Sequence, residues 1–246
     1  MNHDLFTYDY YREILGLLKS NFNICLFSDI ESSEHNSIIL RHDVDVSVEE
    51  ALKMAQIEHD EGVCSNYMIM TDSIFYDLDD KNIKSLKKII DLGHHVGLHY
   101  DFKENDISIS EENIVRYSGY LGGMIGQDII SLSFHSFSSL SFSPYFLKDR
   151  FHFGQNINSF FSDFMNYYIS DSRGRWESSY MPELLSNKGR FKWFQFLIHP
   201  IWWGEKSLSP KDRIIEYINR NGEESENKVK VGLPTFYKDF FREESI

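Results

Sequence analysis

Apolar runs recur along the chain with the length and composition of buried strands. They are short, rich in Ile, Val, Leu, Phe and Tyr, and bounded by polar or glycine-containing stretches. Runs of this kind fit strands better than helices, which need more residues to form an apolar face. We therefore predict strands at 37–44, 67–70, 95–99, 129–134, 167–169 and 194–198.

Helical patterns fill the segments between several of these strands. Ser47 and Glu50 form a capping box, and the apolar positions that follow share one helical face as far as Gly62. Strands that alternate with helices imply parallel pairing with right-handed crossovers. Further helices are predicted over about 9–20, from Asp80 to Gly93, from Ser110 to about Gly122-Gly123, and from Ser209-Pro210 to Asn221-Gly222.

Four segments depart from this alternation. Residues 31–36 are polar and predict a loop, and 137–165 are rich in Ser, Phe and Asn and predict an irregular stretch that shapes the mouth of a site. Residues 223–230 are charged and predict a mobile segment. The aromatic residues of 236–241 indicate a segment that docks back on the body of the protein.

The length of 246 residues fits one large α/β domain better than two small ones. Within it, 1–36 is expected to be an N-terminal helix and lead-in that packs on the main body. Residues 37–222 would form that body, and 223–246 a charged C-terminal extension.

Composition and charge narrow the classes of partner. The formal net charge of −13 argues against nucleic acid or an anionic membrane as the main partner. Cys25 and Cys64 lie far apart without metal-ligand spacing, which predicts two buried thiols in a reducing compartment. No run has the length of a membrane span, and the N-terminus lacks the pattern of a secretion signal, so we expect a cytoplasmic protein without a transmembrane segment.

The predicted strands end in residues that can bind a metal ion or transfer protons. In sheets built from βα units, such groups gather at the carboxyl ends of the strands. One strand end of this type would carry little weight, whereas several of them indicate the rim of an active site. The residues are Asp43 and Asp45, His99, His135, Asp171 and His199.

The types of these residues indicate metal-assisted hydrolysis. Asp43 and Asp45 are two positions apart, so on a strand end they face the same side, about 6–7 Å apart. One carboxylate of such a pair can bind a metal ion while the other acts as a base toward water. His99 and His135 supply imidazoles, the commonest ligands for zinc. His199 could then protonate a leaving group.

The order of these segments resembles that of the five short motifs of the polysaccharide deacetylase family, whose catalytic unit is the NodB homology domain. The similarity spans roughly residues 37–203 and is strongest in the first, second and fifth motifs. It also suggests an atypical branch, similar to proteins encoded with O-antigen or capsule synthesis genes. In order, the matching segments are Arg41-His42-Asp43-Val44-Asp45, Gly93-His94-His95-Val96-Gly97 with His99, Ser133-Phe134-His135-Ser136, Asp171-Ser172-Arg173-Gly174-Arg175-Trp176, and Leu197-Ile198-His199-Pro200.

The resemblance implies a fold, an activity and a cofactor. The fold would be a single-domain distorted (β/α) barrel, and the activity removal of an N-acyl group from an amino sugar or glycan intermediate with a divalent metal, zinc first. Asp45 and His99 would bind the metal, Asp43 would be the base, His199 the acid, and Asp171 would orient His199.

This chain departs from the family pattern at two positions. The second metal histidine of the family lies four residues after the first, where this chain has Lys103, so a third ligand must come from elsewhere. His135 is the first candidate and Asp101 the second. The arginine of the third motif is also missing, which leaves Arg41 or Arg173 to hold Asp43.

Substrate contacts and two alternative functions complete the sequence-based hypothesis. Lys103 favours a catalytically silent barrel that binds a glycan or a partner, and a C–N hydrolase acting on a cyclic amide or ureide is a third hypothesis. The small-molecule or glycan substrate is expected to contact Arg41, Asp101, Arg173, Trp176 and Trp202.

Overall fold

A single curled sheet organises the chain in the computed structural model. The structure describes residues 5–33, 35–101, 111–135 and 149–241. Within these residues the strands are β1 (Asn23–Cys25), β2 (Ser37–Val44), β3 (Asn66–Ile69), β4 (His95–Asp101), β5 (Ser131–His135), β6 (His152–Phe153), β7 (Asn156–Asn158), β8 (Tyr168–Ser170) and β9 (Trp193–Ile198).

These nine strands form one sheet in the order β6-β7-β5-β4-β3-β2-β9-β8, with β1 paired to the start of β2. Every pairing is parallel except that of β6 with β7. The central strands β2 and β3 are buried along their whole length, as expected of parallel strands covered on both faces. The carboxyl ends of β2, β4, β5, β8 and β9 therefore lie along one edge of the sheet.

Helices connect and cover the strands. Side chains of Thr7, Ser47, Asp79 and Ser209 accept backbone N–H groups at four helix starts, so local sequence fixes where those helices begin. In the described part of the chain the helices are α1 (Tyr8–Asn21), α2 (Val48–Asp60), α3 (Asp80–Asp91), α4 (Glu111–Ile125), α5 (Tyr180–Ser186), α6 (Pro210–Asn221), α7 (Glu223–Gly232) and α8 (Pro234–Phe241).

The sheet is strongly curled, which brings distant strands together. The ends of β2 and β5 are three strand spacings apart, about 14 Å in a flat sheet. Yet His135 Nδ1 on β5 lies 3.5 Å from Asp45 Oδ1 just beyond β2. Gly97 on β4 allows this closure, because a Cβ there would lie 2.2 Å from Ser131 Oγ and 2.7 Å from Met68 Sδ. The predicted distorted barrel of alternating strands and helices is confirmed as a curled half-barrel.

Several predictions about individual segments need correction. Residues 223–230, predicted to be mobile, lie within helix α7. The lead-in contributes β1 to the sheet instead of only packing on it, and the segment predicted to be irregular contains β6 and β7. Cys64 is exposed and not buried. In the part of the chain that the structure describes, none of the helices is long and apolar enough to cross a membrane.

A buried polar cluster lies on the face of β2 opposite the strand-end carboxylates. Glu58 is fully buried and accepts hydrogen bonds from the hydroxyls of Tyr11, Ser65 and Tyr67. Its carboxylate also contacts His42 Nε2 at 2.6 Å. Burial favours the neutral acid, but His42, His94 and the Ser65 hydroxyl lower the pKa of Glu58 from 4.5 to about 2. The cluster therefore holds α1, α2, β2 and β3 together around one charge.

The depressed pKa of Glu58 predicts how stability changes with pH. The charged Glu58 carboxylate stabilises the fold fully above pH 4.5. This stabilisation is lost as pH falls toward 2, because the unfolded protein then binds a proton that the folded protein does not. The upper limit of this contribution is about 3 kcal/mol. We expect the free energy of unfolding of Glu58→Gln to differ most from that of the wild type near pH 6, with the difference shrinking toward pH 2. The control is Glu177→Gln, which changes an exposed glutamate. A difference in free energy of unfolding between Glu58→Gln and the wild type that stays constant from pH 6 to pH 2 would contradict the prediction.

Candidate active site

The end of β2 presents three functional side chains on one face. Arg41 and Asp43 lie within the strand and Asp45 follows it, so alternation directs all three toward the inside of the curled sheet. Arg41 Nε lies 3.0 Å from Asp43 Oδ1, and Arg41 Nη2 donates to Asp43 Oδ2 at 3.0 Å. Both side chains are almost completely buried. One hydrogen bond and one close ion-pair contact thus hold the Asp43 carboxylate against Arg41.

The third nitrogen of the Arg41 guanidinium group also makes hydrogen bonds. Its Nη1 donates to Gln195 Oε1 at 2.7 Å and to Ser159 Oγ at 3.0 Å, and Gln195 Nε2 donates to the Ser159 carbonyl at 3.0 Å. Arg41 is 1% exposed, and its contact with a substrate stays a prediction. The structure places Arg41, and not Arg173, against Asp43.

Three potential metal ligands converge near the carboxyl ends of β2, β4 and β5. Asp45 Oδ1 lies 3.2 Å from His99 Nε2 and 3.5 Å from His135 Nδ1. One donor atom from each of these residues lies within 4.8 Å of the other two. Asp101 does not belong to this group, and Lys103 lies outside the described residues. Of the candidates for a third ligand, His135 is the one whose side chain meets Asp45 and His99.

The spacing of these atoms fits a small cation. Ligands about 2.1 Å from a tetrahedral centre are about 3.4 Å from one another, close to the two distances measured from Asp45 Oδ1. This oxygen is also buried, and no donor in the described ranges makes an aligned hydrogen bond to it. A buried carboxylate oxygen normally has such a partner. Two imidazole nitrogens and a carboxylate oxygen are a donor set suited to zinc and similar ions.

The electrostatics of the cluster attract positive charge. Burial favours the neutral form of Asp45, but His135 and the other imidazoles hold its pKa well below the usual value. Burial likewise favours neutral His135, yet the Asp45 carboxylate raises the pKa of His135 to about 9. The carboxylate thus stabilises a cationic partner at this position.

A second histidine–carboxylate pair lies at the ends of β8 and β9. Asp171 is fully buried and contacts His199 Nδ1 at 2.6 Å, and it also accepts the His199 backbone N–H. Trp203 Nε1 donates to the other Asp171 oxygen at 2.8 Å. Burial lowers the pKa of His199, but Asp171 outweighs this and raises it to about 9. His199 is therefore mainly an imidazolium at neutral pH.

These groups form one continuous cluster. His99 Nε2 lies 3.8 Å from Asp43 Oδ2, and His199 Nε2 lies 3.8 Å from Asp45 Oδ2. Asp45, His135 and His199 retain 12–18% side-chain exposure, whereas Asp43 and His99 are buried. A substrate would therefore approach from the side of Asp45, His135 and His199.

The other predicted substrate contacts are not part of this cluster. Trp202 is 5% exposed and packs against Phe236, and its stacking on a substrate stays a prediction. Trp176 is half-buried and donates to Tyr10 Oη, and Arg173 is exposed on a turn with a positive φ. Asp101 lines a separate cavity of about 180 Å³. For these last three residues a substrate contact remains a prediction.

The sequence-based prediction missed several residues that support the cluster, among them Ser133, Gln195 and Trp203. Ser133 lies two residues before His135 on the same face of β5, and its Oγ contacts His99 Nδ1 at 2.6 Å. Gln195 is a polar residue within the apolar strand β9, a pattern that could have drawn attention to it. Trp203 carries no sequence signal beyond its aromatic ring, although its indole N–H binds Asp171.

Comparison with known proteins gives structural similarities only. No family model and no curated protein sequence matches the chain. Among solved structures, a Streptococcus mutans CE4 esterase is 14% identical with a TM-score of 0.46, over 83% of this chain and 90% of that chain. A Streptococcus pyogenes deacetylase in complex with acetate is 9% identical with a TM-score of 0.43, over 85% of both chains.

A CE4 family pseudoenzyme from Bacillus anthracis is 12% identical with a TM-score of 0.40, over 77% of this chain and 62% of that chain. The neighbours thus include proteins described as enzymes and one described as inactive. At identities and TM-scores this low, activity has to be inferred from this chain's own residues.

Proposed function

We propose that this protein is a metal-dependent hydrolase of an amide bond that removes an N-acyl group, acetyl first, from an amino sugar or a glycan-biosynthesis intermediate. The observation that carries the proposal is Asp45 Oδ1, a buried carboxylate oxygen without an aligned donor among the described residues, between His99 and His135. The five strand-end segments that resemble deacetylase motifs support the choice of reaction. Zinc and a cytoplasmic, small-molecule or glycan substrate belong to this proposal.

Asp45, His99 and His135 would hold the cation. When bound, a divalent cation would polarise the acyl carbonyl and lower the pKa of water, chemistry that promotes amide hydrolysis at neutral pH. The fit of the site to such an ion rests on the three donor atoms and their spacing.

Asp43 would act as the general base. Arg41 holds both of its oxygens, and Oδ2 faces His99 Nε2 across 3.8 Å, so this oxygen borders the metal ligands. Asp43 would take a proton from the attacking water, and Arg41 would keep the carboxylate oriented while it does so.

His199 would act as the general acid. Its Nε2 faces the cluster while Nδ1 is held by Asp171, so one ring nitrogen is free to donate. With a pKa of about 9, the imidazolium can give a proton to the departing amine at neutral pH. Base and acid thus flank the three metal ligands, the arrangement that hydrolysis of an acyl–nitrogen bond needs.

Metal analysis tests this proposal directly. Protein purified without a His-tag is expected to contain about one transition-metal ion per chain, as a three-ligand site implies, and His99→Ala should lose it. Exposed His152→Ala is the matched control and should keep the metal. Mass spectrometry gives the ratio. A wild-type protein that binds no divalent metal at micromolar concentration would overturn the proposal.

A substrate panel identifies the reaction. The panel should contain N-acetylated sugars, nucleotide-linked amino sugars and cyclic amides, with release of acetate and appearance of a free amine as readouts. Turnover of an N-acetylated sugar supports the proposal. Turnover of only cyclic amides would indicate the alternative C–N hydrolase, and saccharide binding without product would indicate a silent barrel.

A further inference from the structure

Ser133 connects a predicted metal ligand to the predicted base. Its Oγ lies 2.6 Å from His99 Nδ1 and donates to Asp43 Oδ1 at 3.5 Å. Ser133, His99 and Asp43 come from β5, β4 and β2, and all three are at most 4% exposed. One hydroxyl therefore links three strands at the inner face of the curled sheet.

We propose that Ser133 is a positioning residue that fixes the proton of His99 on Nδ1 and so directs the lone pair of Nε2 toward Asp45. This inference rests on the proposed function and deepens it, because it assigns how the metal site is prepared. No role is assigned to Ser133 by the motif resemblance.

The direction of the hydrogen bonds follows from the chemistry of the three groups. We assign the single proton of the Ser133 hydroxyl to the contact with Asp43 Oδ1, because a carboxylate can only accept. The hydroxyl oxygen is then left as an acceptor toward His99, and Nδ1 must carry the donated proton. In the neutral imidazole the other nitrogen, Nε2, is consequently unprotonated.

Nε2 is the ring nitrogen of His99 that faces the proposed cation site. It lies 3.2 Å from Asp45 Oδ1. A nitrogen lone pair and a carboxylate oxygen at this distance repel each other unless a cation or a proton lies between them. A hydrogen bond that fixes the tautomer of a metal-binding histidine is a common feature of metal sites, and its removal typically weakens metal binding about 10- to 100-fold.

Ser131 provides a matched control on the same strand. It lies two residues before Ser133 on the same face of β5 and is equally buried. Its hydroxyl faces Met68 Sδ at 3.8 Å and not a metal ligand. Ser131→Ala therefore removes the same atom from the same strand without altering the contact to His99.

The first experiment compares the Zn²⁺ affinity of the wild type with that of three variants. We expect Ser133→Ala to weaken Zn²⁺ binding by about 10- to 100-fold, because His99 loses the acceptor that fixes its tautomer. Ser131→Ala should bind Zn²⁺ like the wild type. If Ser133→Ala does not fold, Ser133→Cys keeps the volume with a weak acceptor and should show the same loss. Unchanged affinity in the folded Ser133 variants, or an equal loss in Ser131→Ala, would overturn the inference.

A metal-free readout separates this inference from the proposed function. In the metal-free wild type and in Ser131→Ala, proton NMR should show a slowly exchanging Nδ1 proton of His99, and in the Ser133 variants this signal should be missing. If the wild type binds no Zn²⁺ but shows this proton, the proposed function fails while the contact to Ser133 stands. If the wild type binds Zn²⁺ but lacks this proton, the assignment of the tautomer fails and the proposed function stands.

Discussion

Replacing Asp43 by Asn is expected to lower turnover about 10²- to 10⁴-fold, the usual contribution of a general base, while the protein keeps its metal. The asparagine side chain would retain the size of the aspartate and could still accept from Arg41, but it could not take a proton. Asp43 lies beside the ligand cluster without belonging to it, since its nearest ligand contact is 3.8 Å from His99 Nε2. The measurements are turnover on the best substrate of the panel and metal content by mass spectrometry.

The neighbouring aspartate serves as the matched comparison. Asp45→Asn changes the same functional group two residues along the chain, yet it removes the charge that faces His99 and His135. We expect this variant to lose metal and activity together. Near-normal turnover in Asp43→Asn would contradict the assignment of the base, and loss of metal in Asp43→Asn would show that the two carboxylates do not divide their roles.

Replacing Arg41 by Met is expected to destabilise the fold by about 3–5 kcal/mol, as is typical when one partner of a buried ion pair is removed. Met has a similar length but leaves the Asp43 carboxylate buried at 4% exposure without its two guanidinium donors. Ser159 and Gln195 lose their contacts with the guanidinium as well. The free energy of unfolding from denaturant titration measures the effect.

A double variant shows whether the unpaired charge is the cause. Arg41→Met with Asp43→Asn removes both charges, so it should be more stable than Arg41→Met alone. A cost for Arg41→Met within about 1 kcal/mol, the range of exposed ion pairs, would show that the pair is not a buried interaction in solution.

Most features of the fold and the site that could be predicted from the sequence follow from the strand pattern and from the residues at the strand ends. Alternation along β2 indicates that Asp43 and Asp45 share a face and that His42 lies on the other, as the structure shows. The ends of β4, β5 and β9 were also recognisable, because each apolar run stops at a histidine. Local periodicity is sufficient for these features, since each depends on residues close together in the chain.

Contacts across the sheet could not be predicted in this way. Whether His135 reaches Asp45 depends on how tightly the sheet curls, and that depends on packing around Gly97. The support that Arg41 receives from Ser159 and Gln195 joins residues more than 100 positions apart. Helix α7 was missed because its charged sequence has a weak apolar pattern and its stability comes from packing against neighbouring helices.

Polar groups on both faces of β2 also specify how this strand aligns with its neighbours. Arg41 and Asp43 pair on the inner face, and His42 contacts Glu58 on the outer face. A slip of one residue would exchange the faces, leaving three buried charged or polar side chains without their partners. A misaligned β2 would therefore lose stabilising contacts on both of its faces. This cost favours one alignment of the strand during folding, without a contribution from the turns.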